Sequence, residues 1–218
     1  LAHEMRTPLG NLMGHAQQTL ARKRSVDEYQ NLLVSNLEEY ERLARMIDSM
    51  QFLARTEQAK ATINRETLEL HKLVAQICEY FEGMAQECSI ELINQASGTL
   101  IADPHLLRRA LANLLANALR YGSADSVVTI SSAIREGACE ISVHNCGEPI
   151  AAEHLPRLFE RFYRCDPSRN QPDDSGGLGL AIVRSIMQAH GGQVSVDSTA
   201  AGTNFSLLFP LDSARLNQ

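Results

Sequence analysis

The sequence predicts an α+β protein in which an N-terminal helical hairpin precedes a two-layer α/β sandwich. Residues 1 to about 57 carry apolar side chains at steps of three and four, the spacing of one face of an α-helix. From about residue 66 the pattern changes to short strand-like runs that alternate with helical stretches. With 218 residues, 44% of them apolar, the chain is long enough for two small domains. We expect these domains at residues 1–57 and 66–218.

The helical region is interrupted once, near residues 23–27, where Ser25 or Asp27 can cap a second helix. A two-helix hairpin encloses no core, so its apolar stripes need a partner. Pairing two hairpins into a four-helix bundle would bury both stripes, and we therefore expect a homodimer through this region. The alternative is that the hairpin packs against the second domain of its own chain. The stripe of the second helix consists of Leu33, Leu37, Tyr40, Ala44, Ile47, Met50 and Ala54.

The second region mixes predicted strands and helices. Asp103 and Pro104 are a typical N-cap and first residue of a helix, and Gly191 follows the last helix as a stop signal. Helices interleaved with mostly antiparallel strands indicate a two-layer sandwich. Helices are predicted over 71–86, 104–121 and 178–190, and strands over 67–70, 90–93, 99–102, 127–134, 139–143, 193–198 and 204–209.

Composition excludes several classes of function. The net charge is −6, and the acidic excess lies after Arg65, so general binding of DNA or anionic lipid is disfavoured. Five cysteines without a C-x-x-C pair indicate neither a disulfide framework nor a zinc knuckle, and fit a reducing compartment. No run approaches the roughly 18 apolar residues of a membrane span. The missing initiator Met suggests a fragment, from which a membrane segment could have been cut away upstream.

Two motifs predict a site for a phosphorylated ligand. In S-G-G-L-G-L-A-I-V (175–183) the glycines precede an apolar helix, whose N-terminus offers free N–H groups and partial positive charge to phosphates. No Lys-Ser/Thr follows, so the motif is not a P-loop, and a glycine-rich helix cap is the alternative. Asn113 and Asn117 share one face of an otherwise apolar helix, where an amide oxygen is a reasonable ligand for Mg²⁺. Two Asn side chains that cap nearby loops are the alternative.

Two further segments complete the candidate site. In V-H-N-C-G-E-P-I (143–150), Asn145 could accept a hydrogen bond from the exocyclic amine of a purine, and Gly147 would leave room for the base. In L-F-E-R-F-Y-R (158–164) the two Phe side chains are candidate buried anchors, and Arg161 and Arg164 are candidates for phosphate contact.

The order of these motifs resembles that of the sensor histidine kinases of bacterial two-component systems. H-E-M-R-T-P-L, N-x-x-x-N-A-x-R-Y, N-x-G-x-P-I, F-x-R-F-Y-R and G-x-G-L-A-I-V match the family's phosphoacceptor, N, G1, F and G2 boxes in order and approximate spacing. The residues of the G1 and F boxes are most similar to those of the heavy-metal (copper/silver) sensor subgroup. The resemblance implies a dimeric phosphoacceptor hairpin and an ATP-binding domain of the Bergerat type, shared with Hsp90-like ATPases.

The resemblance also implies roles for residues near the N-terminus. His3 would attack the γ-phosphate of ATP and later pass the phosphoryl group to an Asp of a response regulator. Glu4 would act as the general base, and Thr7 would position a water for dephosphorylation of the regulator. Pro8 can bend the helix beside His3. The family's location implies the cytoplasmic side of the bacterial inner membrane, with the membrane reached only through upstream segments.

For the nucleotide, the resemblance implies ATP with Mg²⁺ and a mobile lid between Arg164 and Gly177. Asn145 and Pro149 stand where the G1 box usually has Asp and Gly, and Ser175 stands where the G2 box often has Gly. We expect ATP binding to be retained with reduced affinity. The residues placed around the nucleotide are Asn113, Arg120, Tyr121, Asn145, Gly147, Arg164, Gly177, Leu178 and Gly179, with Asn117 as the Mg²⁺ ligand.

Three other functions compete with this interpretation. A zinc protease would need a second His at position 7, which is Thr7. A catalytically inactive ATP-binding scaffold would not need the intact His3-Glu4 pair and Asn117. An Hsp90-like ATP hydrolase would lack a His-Glu box on a dimerizing hairpin.

Overall fold

A computed structural model describes residues 2–58, 63–135, 137–165 and 176–210, and within the first range the side chains of residue 6 and residues 8–56. A helical hairpin is followed by a mixed sheet with helices, so the predicted fold class is confirmed at this level. The helices are α1 Ala2–Leu20, α2 Val26–Gln58, α3 Leu70–Glu87, α4 Pro104–Tyr121 and α5 Gly179–Ala189, with a 3₁₀ turn at Leu155–Arg157. The strands are β1 Glu66–Glu69, β2 Ile90–Gln95, β3 Thr99–Ala102, β4 Ser126–Arg135, β5 Ala138–Asn145, β6 Gln193–Thr199 and β7 Gly202–Pro210.

A capping box starts the second helix of the hairpin. Ser25 Oγ accepts a hydrogen bond from the Glu28 amide at 3.2 Å, and the Ser25 amide donates to Glu28 Oε2 at 2.9 Å. These two bonds satisfy donors that a helix N-terminus otherwise leaves unpaired. Of the two predicted caps, the structure therefore uses Ser25 rather than Asp27.

The N-terminal half of α2 keeps its apolar stripe exposed. Leu33, Leu37 and Tyr40 are 66%, 59% and 55% exposed, and on α1 Leu9 and Met13 are exposed as well. Side chains of this size gain roughly 1.5–3 kcal/mol each when they are buried. The exposed stripe is consistent with the predicted homodimer, which stays a prediction for this single chain.

The C-terminal half of α2 packs on the second domain of its own chain. Met46 and Leu53 are 2% and 3% exposed and belong to the same apolar core as α4 and α5. The guanidinium of Arg109 on α4 lies over the Phe52 ring, 4.0 Å from its centroid. The alternative arrangement, a hairpin packed on its own chain, thus holds for this part of α2, because the helix carries two apolar faces.

The main sheet has the strand order β2-β4-β5-β7-β6, and β1 and β3 form a separate antiparallel pair. β2 runs parallel to β4, and the other neighbours are antiparallel. Helices α3, α4 and α5 contact the sheet through β2, β5 and β6 respectively. Residues of β5 alternate between buried and half-buried, which places every second side chain in the layer beneath the helices.

Two observations bear on the compositional expectations. The five cysteines are free thiols. Among the described helices, none has both the length and the apolar character needed to cross a membrane.

A buried imidazole joins three parts of the second region. His190 is 4% exposed; its Nε2 accepts from the Asp103 amide at 3.0 Å, and its Nδ1 lies 2.8 Å from the Ile186 carbonyl oxygen, to which it donates. Arg65 Nη2 donates to the His190 carbonyl oxygen at 3.2 Å, and the Asn64 amide donates to Asp103 Oδ2 at 3.0 Å. The segment after α2 is therefore tied to the start of α4 and the end of α5.

This geometry predicts a pH-dependent stability. Burial lowers the pKa of His190 from its ordinary value of 6.5, because the charged ring would lose its hydration and place a proton against the Asp103 amide. Below about pH 6.5 the His190 ring of the unfolded chain therefore binds a proton, whereas the ring in the folded chain stays neutral. The stability from His190 is full above about pH 6.5 and is lost as the pH falls below it, with a slope of at most about 1.4 kcal/mol per pH unit.

Urea unfolding of the whole chain between about pH 5 and pH 8 measures this slope. We expect His190→Gln to flatten it relative to the wild type, while His15→Gln, on the exposed surface of α1, leaves it unchanged. Equal slopes for the wild type and His190→Gln would contradict the assignment.

Candidate functional site

A large cavity lies where α4 and β5 end and α5 begins. It has a volume of about 580 Å³ and is lined partly by polar and partly by apolar side chains. Pockets of this size are typical of small-molecule sites. The lining residues are Asn117, Arg120, Tyr121, Gly122, Ser123, Asn145, Glu148, Pro149, Ile150, Ala151, His154, Leu158, Tyr163, Arg164, Cys165, Gly177, Gly179, Leu180, Thr203 and Phe205.

The end of α4 supplies one wall. Asn117, Arg120 and Tyr121 line the cavity together, since residues three and four apart share a helix face. Asn113, one turn earlier, does not line it, and its Nδ2 donates to the Arg109 carbonyl oxygen at 2.8 Å. α4 is held in place by Asp103, whose Oδ1 caps its first turn.

The end of β5 supplies the polar floor. The row of β5 side chains beneath the helices is apolar until Asn145, which is 4% exposed and lines the cavity. Its Nδ2 donates to the Cys146 carbonyl oxygen at a long 3.5 Å. On β7, Thr203 pairs with Asn145 in register, and its hydroxyl lies 2.7 Å from that of Ser198.

Gly147 allows two backbone segments to approach closely behind the floor. It is not itself a lining residue, but a Cβ there would overlap the Tyr121 carbonyl oxygen and lie 3.2 Å from Asn145 Nδ2. The Ser123 amide donates to the Cys146 carbonyl oxygen at 2.8 Å across the same contact. Gly147 thus lets the loop after β5 close against the end of α4. The room for the base that was expected of it stays a prediction, because Gly147 does not line the cavity.

The segment before residue 165 forms the outer wall. His154 Nδ1 lies 2.7 Å from the Tyr163 hydroxyl, and the Phe159 ring packs edge-on against Phe205, with centroids 6.3 Å apart. Phe159 and Phe162 are partly buried against the core, in agreement with their predicted anchoring role. Arg164 lines the cavity.

Arg161 is exposed and lies outside the lining.

The start of α5 supplies the last wall. Gly177 and Gly179 line the cavity, and Gly176 and Gly177 have φ of 57° and 73°, a conformation that favours glycine. The first amides of a helix have no partner within it and carry partial positive charge. Leu178 is fully buried and does not line the cavity, so only its backbone could reach a ligand.

The arrangement fits a nucleotide with a charged tail. Two guanidinium groups, those of Arg120 and Arg164, and the start of α5 supply positive charge, while Ile150, Leu158 and Phe205 supply an apolar surface for a base. The Asn117 amide oxygen is a ligand that suits Mg²⁺ beside phosphates. Among the described residues, no cluster of three His, Cys, Asp or Glu side chains could hold a metal by itself.

Several predicted residues lie outside what the structure describes. The backbone of His3, Glu4 and Thr7 belongs to α1, but their side chains are not among those described, and neither is the segment 166–175 with Ser175. Their roles stay predictions.

Three residues that line the cavity were not predicted as site residues from the sequence: Thr203, Phe205 and Ile150. Thr203 and Phe205 come from β7, which is distant in sequence and meets β5 only through sheet register.

Both halves of the chain match known protein families. Residues 1–59 match the "His Kinase A (phospho-acceptor) domain". Residues 102–213 match the "Histidine kinase-, DNA gyrase B-, and HSP90-like ATPase" family.

Curated relatives match almost the whole chain. The sensor protein IrlS of Burkholderia pseudomallei is 43% identical over 98% of this chain and 46% of its own length. The sensor histidine kinase CusS of Escherichia coli K12 is 42% identical over 96% of this chain and 44% of its own, and the sensor protein CzcS of Cupriavidus metallidurans is 42% identical over 98% and 45%. The chain therefore spans less than half the length of these relatives.

Solved structures share the fold. The Acinetobacter baumannii histidine kinase AdeS superposes with a TM-score of 0.79 at 23% identity, covering 97% of this chain and 98% of that one. Full-length ShkA, solved in complex with AMPPNP, gives a TM-score of 0.73 at 26% identity and covers 96% of this chain and 44% of that one.

The tight approach at Gly147 predicts a large effect of one methyl group. In Gly147→Ala the new Cβ would push the loop away from the Tyr121 carbonyl oxygen, and we expect a loss of about 1–3 kcal/mol in the free energy of unfolding. Gly83→Ala is the matched control, because Gly83 is exposed on α3 with open space around it. The control should gain about 0.5–1 kcal/mol. Urea unfolding measures both, and equal stabilities of the two variants would disprove the close approach.

Proposed function

The chain belongs to the sensor histidine kinase family, and we propose that it is the catalytic core of such a kinase, which phosphorylates His3 from ATP. The observation that carries the proposal is one cavity that gathers Asn117, Asn145, Arg164 and the start of α5, on a chain whose first helix contains the His-Glu pair. The lining residues of the cavity suit both a base and phosphates.

In the proposed reaction a ring nitrogen of His3 attacks the γ-phosphorus in line. A nitrogen–phosphorus bond forms, the bond to the bridging oxygen breaks, and ADP leaves with that electron pair. Glu4 accepts or holds the ring proton, which keeps the lone pair of the attacking nitrogen available. The phosphoryl group then passes to a carboxylate of an Asp on a response regulator. Thr7 would position a water molecule that dephosphorylates the regulator.

Charge in the cavity supports the placement of the phosphates. Arg120, Arg164 and the first amides of α5 would hold the triphosphate, with Gly177 and Gly179 allowing its close approach. Asn117 would hold Mg²⁺, which when bound would neutralise charge on the phosphates. Asn145 would contact the base, and Tyr121 would line the triphosphate beside Arg120.

Homodimerization through the hairpin is part of the proposal. It is supported by the exposed stripe on α2 and by exposed apolar side chains on α1. We also propose that the protein lies on the cytoplasmic side of the bacterial inner membrane. Its assignment to the heavy-metal sensor subgroup is supported by the residues of the G1 and F boxes. The inactive scaffold and the Hsp90-like hydrolase are disfavoured by the His3-Glu4 pair on a helix of the hairpin.

The phosphoacceptor is tested by labelling the chain with γ-³²P-ATP and Mg²⁺. We expect acid-labile, base-stable label that is lost, at least about a hundredfold, in His3→Gln because no nucleophile remains. His15→Gln changes an exposed His on the same helix and should keep the label. Label that persists in His3→Gln, with nucleotide binding intact, would rule out His3.

The metal ligand is tested with Asn117→Ala. We expect labelling to fall about tenfold or more and to recover partly when Mg²⁺ is raised, because one oxygen ligand is lost from the site. Asn204→Ala removes a side chain on β7 that bonds Ser206 outside the cavity, and should behave as the wild type. An unchanged Mg²⁺ dependence in Asn117→Ala would refute the assignment.

A further inference from the structure

The floor of the cavity contains a buried amide that few protein groups satisfy. Asn145 is 4% exposed, yet within the described residues its carboxamide makes one hydrogen bond, from Nδ2 to the Cys146 carbonyl oxygen at 3.5 Å. At this length the bond is weak. A buried amide needs partners, so the remaining donor and acceptor are available to a ligand in the cavity.

The neighbours of Asn145 do not fix the orientation of its amide. The hydroxyl of Thr203, its partner in register, lies 2.7 Å from that of Ser198, and the Ser198 hydroxyl accepts from the Ile150 amide at 2.9 Å. These hydroxyls are engaged with one another rather than with Asn145. A rotation of the carboxamide by 180° would exchange its oxygen and nitrogen at the cost of one long hydrogen bond.

This freedom determines which purines the floor can accept. A 6-aminopurine presents a donor at N6 and an acceptor at N1, which match the oxygen and the NH₂ of a carboxamide. A 6-oxopurine presents an acceptor at O6 and a donor at N1, and the reversed carboxamide matches this edge equally well. A carboxylate at the same place offers only acceptors, so it would favour the amino form and repel O6.

We infer that this cavity binds 6-oxopurine nucleoside triphosphates as well as ATP, with Asn145 reversing its amide to suit the base. The inference rests on the proposed function of the cavity as the nucleotide site and specifies its substrate class. Apolar contacts from Ile150, Leu158 and Phe205 do not depend on the substituent at position 6, so they leave the choice to Asn145.

The test is equilibrium binding of ATP and of inosine triphosphate, with Mg²⁺, to the whole chain and to Asn145→Asp. Inosine triphosphate changes only the edge that Asn145 would contact. We expect the wild type to bind the two within about threefold, and Asn145→Asp to prefer ATP by about tenfold or more, as an unpaired O6 facing a carboxylate requires. Measurement near about pH 8 keeps the introduced carboxyl ionised even if burial raises its pKa.

Asn204→Asp is the matched control, because it introduces the same group on β7 outside the cavity lining, and its ratio should equal that of the wild type. A wild type that binds ATP but discriminates against inosine triphosphate by more than about tenfold overturns the inference and leaves the proposed function intact. Failure to bind either nucleotide overturns both. If Asn145→Asp does not fold, as judged by its circular dichroism, the wild-type ratio decides alone.

Discussion

The apolar layer between the main sheet and helices α4 and α5 is the constraint on which the rest of the molecule depends. Ile141 and Val143 of β5 are fully buried in it, as are Leu114 of α4 and Ile186 of α5. Burial of each such side chain contributes roughly 1.5–3 kcal/mol, so the helices are held firmly where the layer continues. The layer ends at Asn145, and there the helix ends and the loop after β5 leave a cavity instead of a core.

The same layer extends to the hairpin. Met46 and Leu53 of α2 belong to the core that contains α5, and a Cβ at Gly176 would overlap the end of the Met46 side chain. The start of α5 therefore has the cavity on one side and the hairpin on the other. α5 is thus packed between the hairpin and the cavity.

Periodicity and turn chemistry predicted most of the fold, but not its long-range pairings. Asp103 and Ser25 were recognisable as caps because a cap acts within four residues of itself. The parallel pairing of β2 with β4 and the register of Asn145 with Thr203 join segments far apart in the chain, and no local pattern encodes them. The Asn side chains at the cavity lie within short motifs and were predicted from them. The wall that β7 supplies depends on long-range pairing and was not predicted. The stripe of α2 was predicted as one face, but the helix is long enough to carry two.

The central claim is that a nucleotide occupies this cavity, and hydrogen–deuterium exchange of the whole chain with and without Mg-ATP tests it most directly. The account predicts slower exchange of amides at 117–123, 145–151 and 176–180, which border the cavity, and unchanged exchange in β1 and β3, which lie outside its lining. Protection that is absent, or that is confined to β1 and β3, would contradict it.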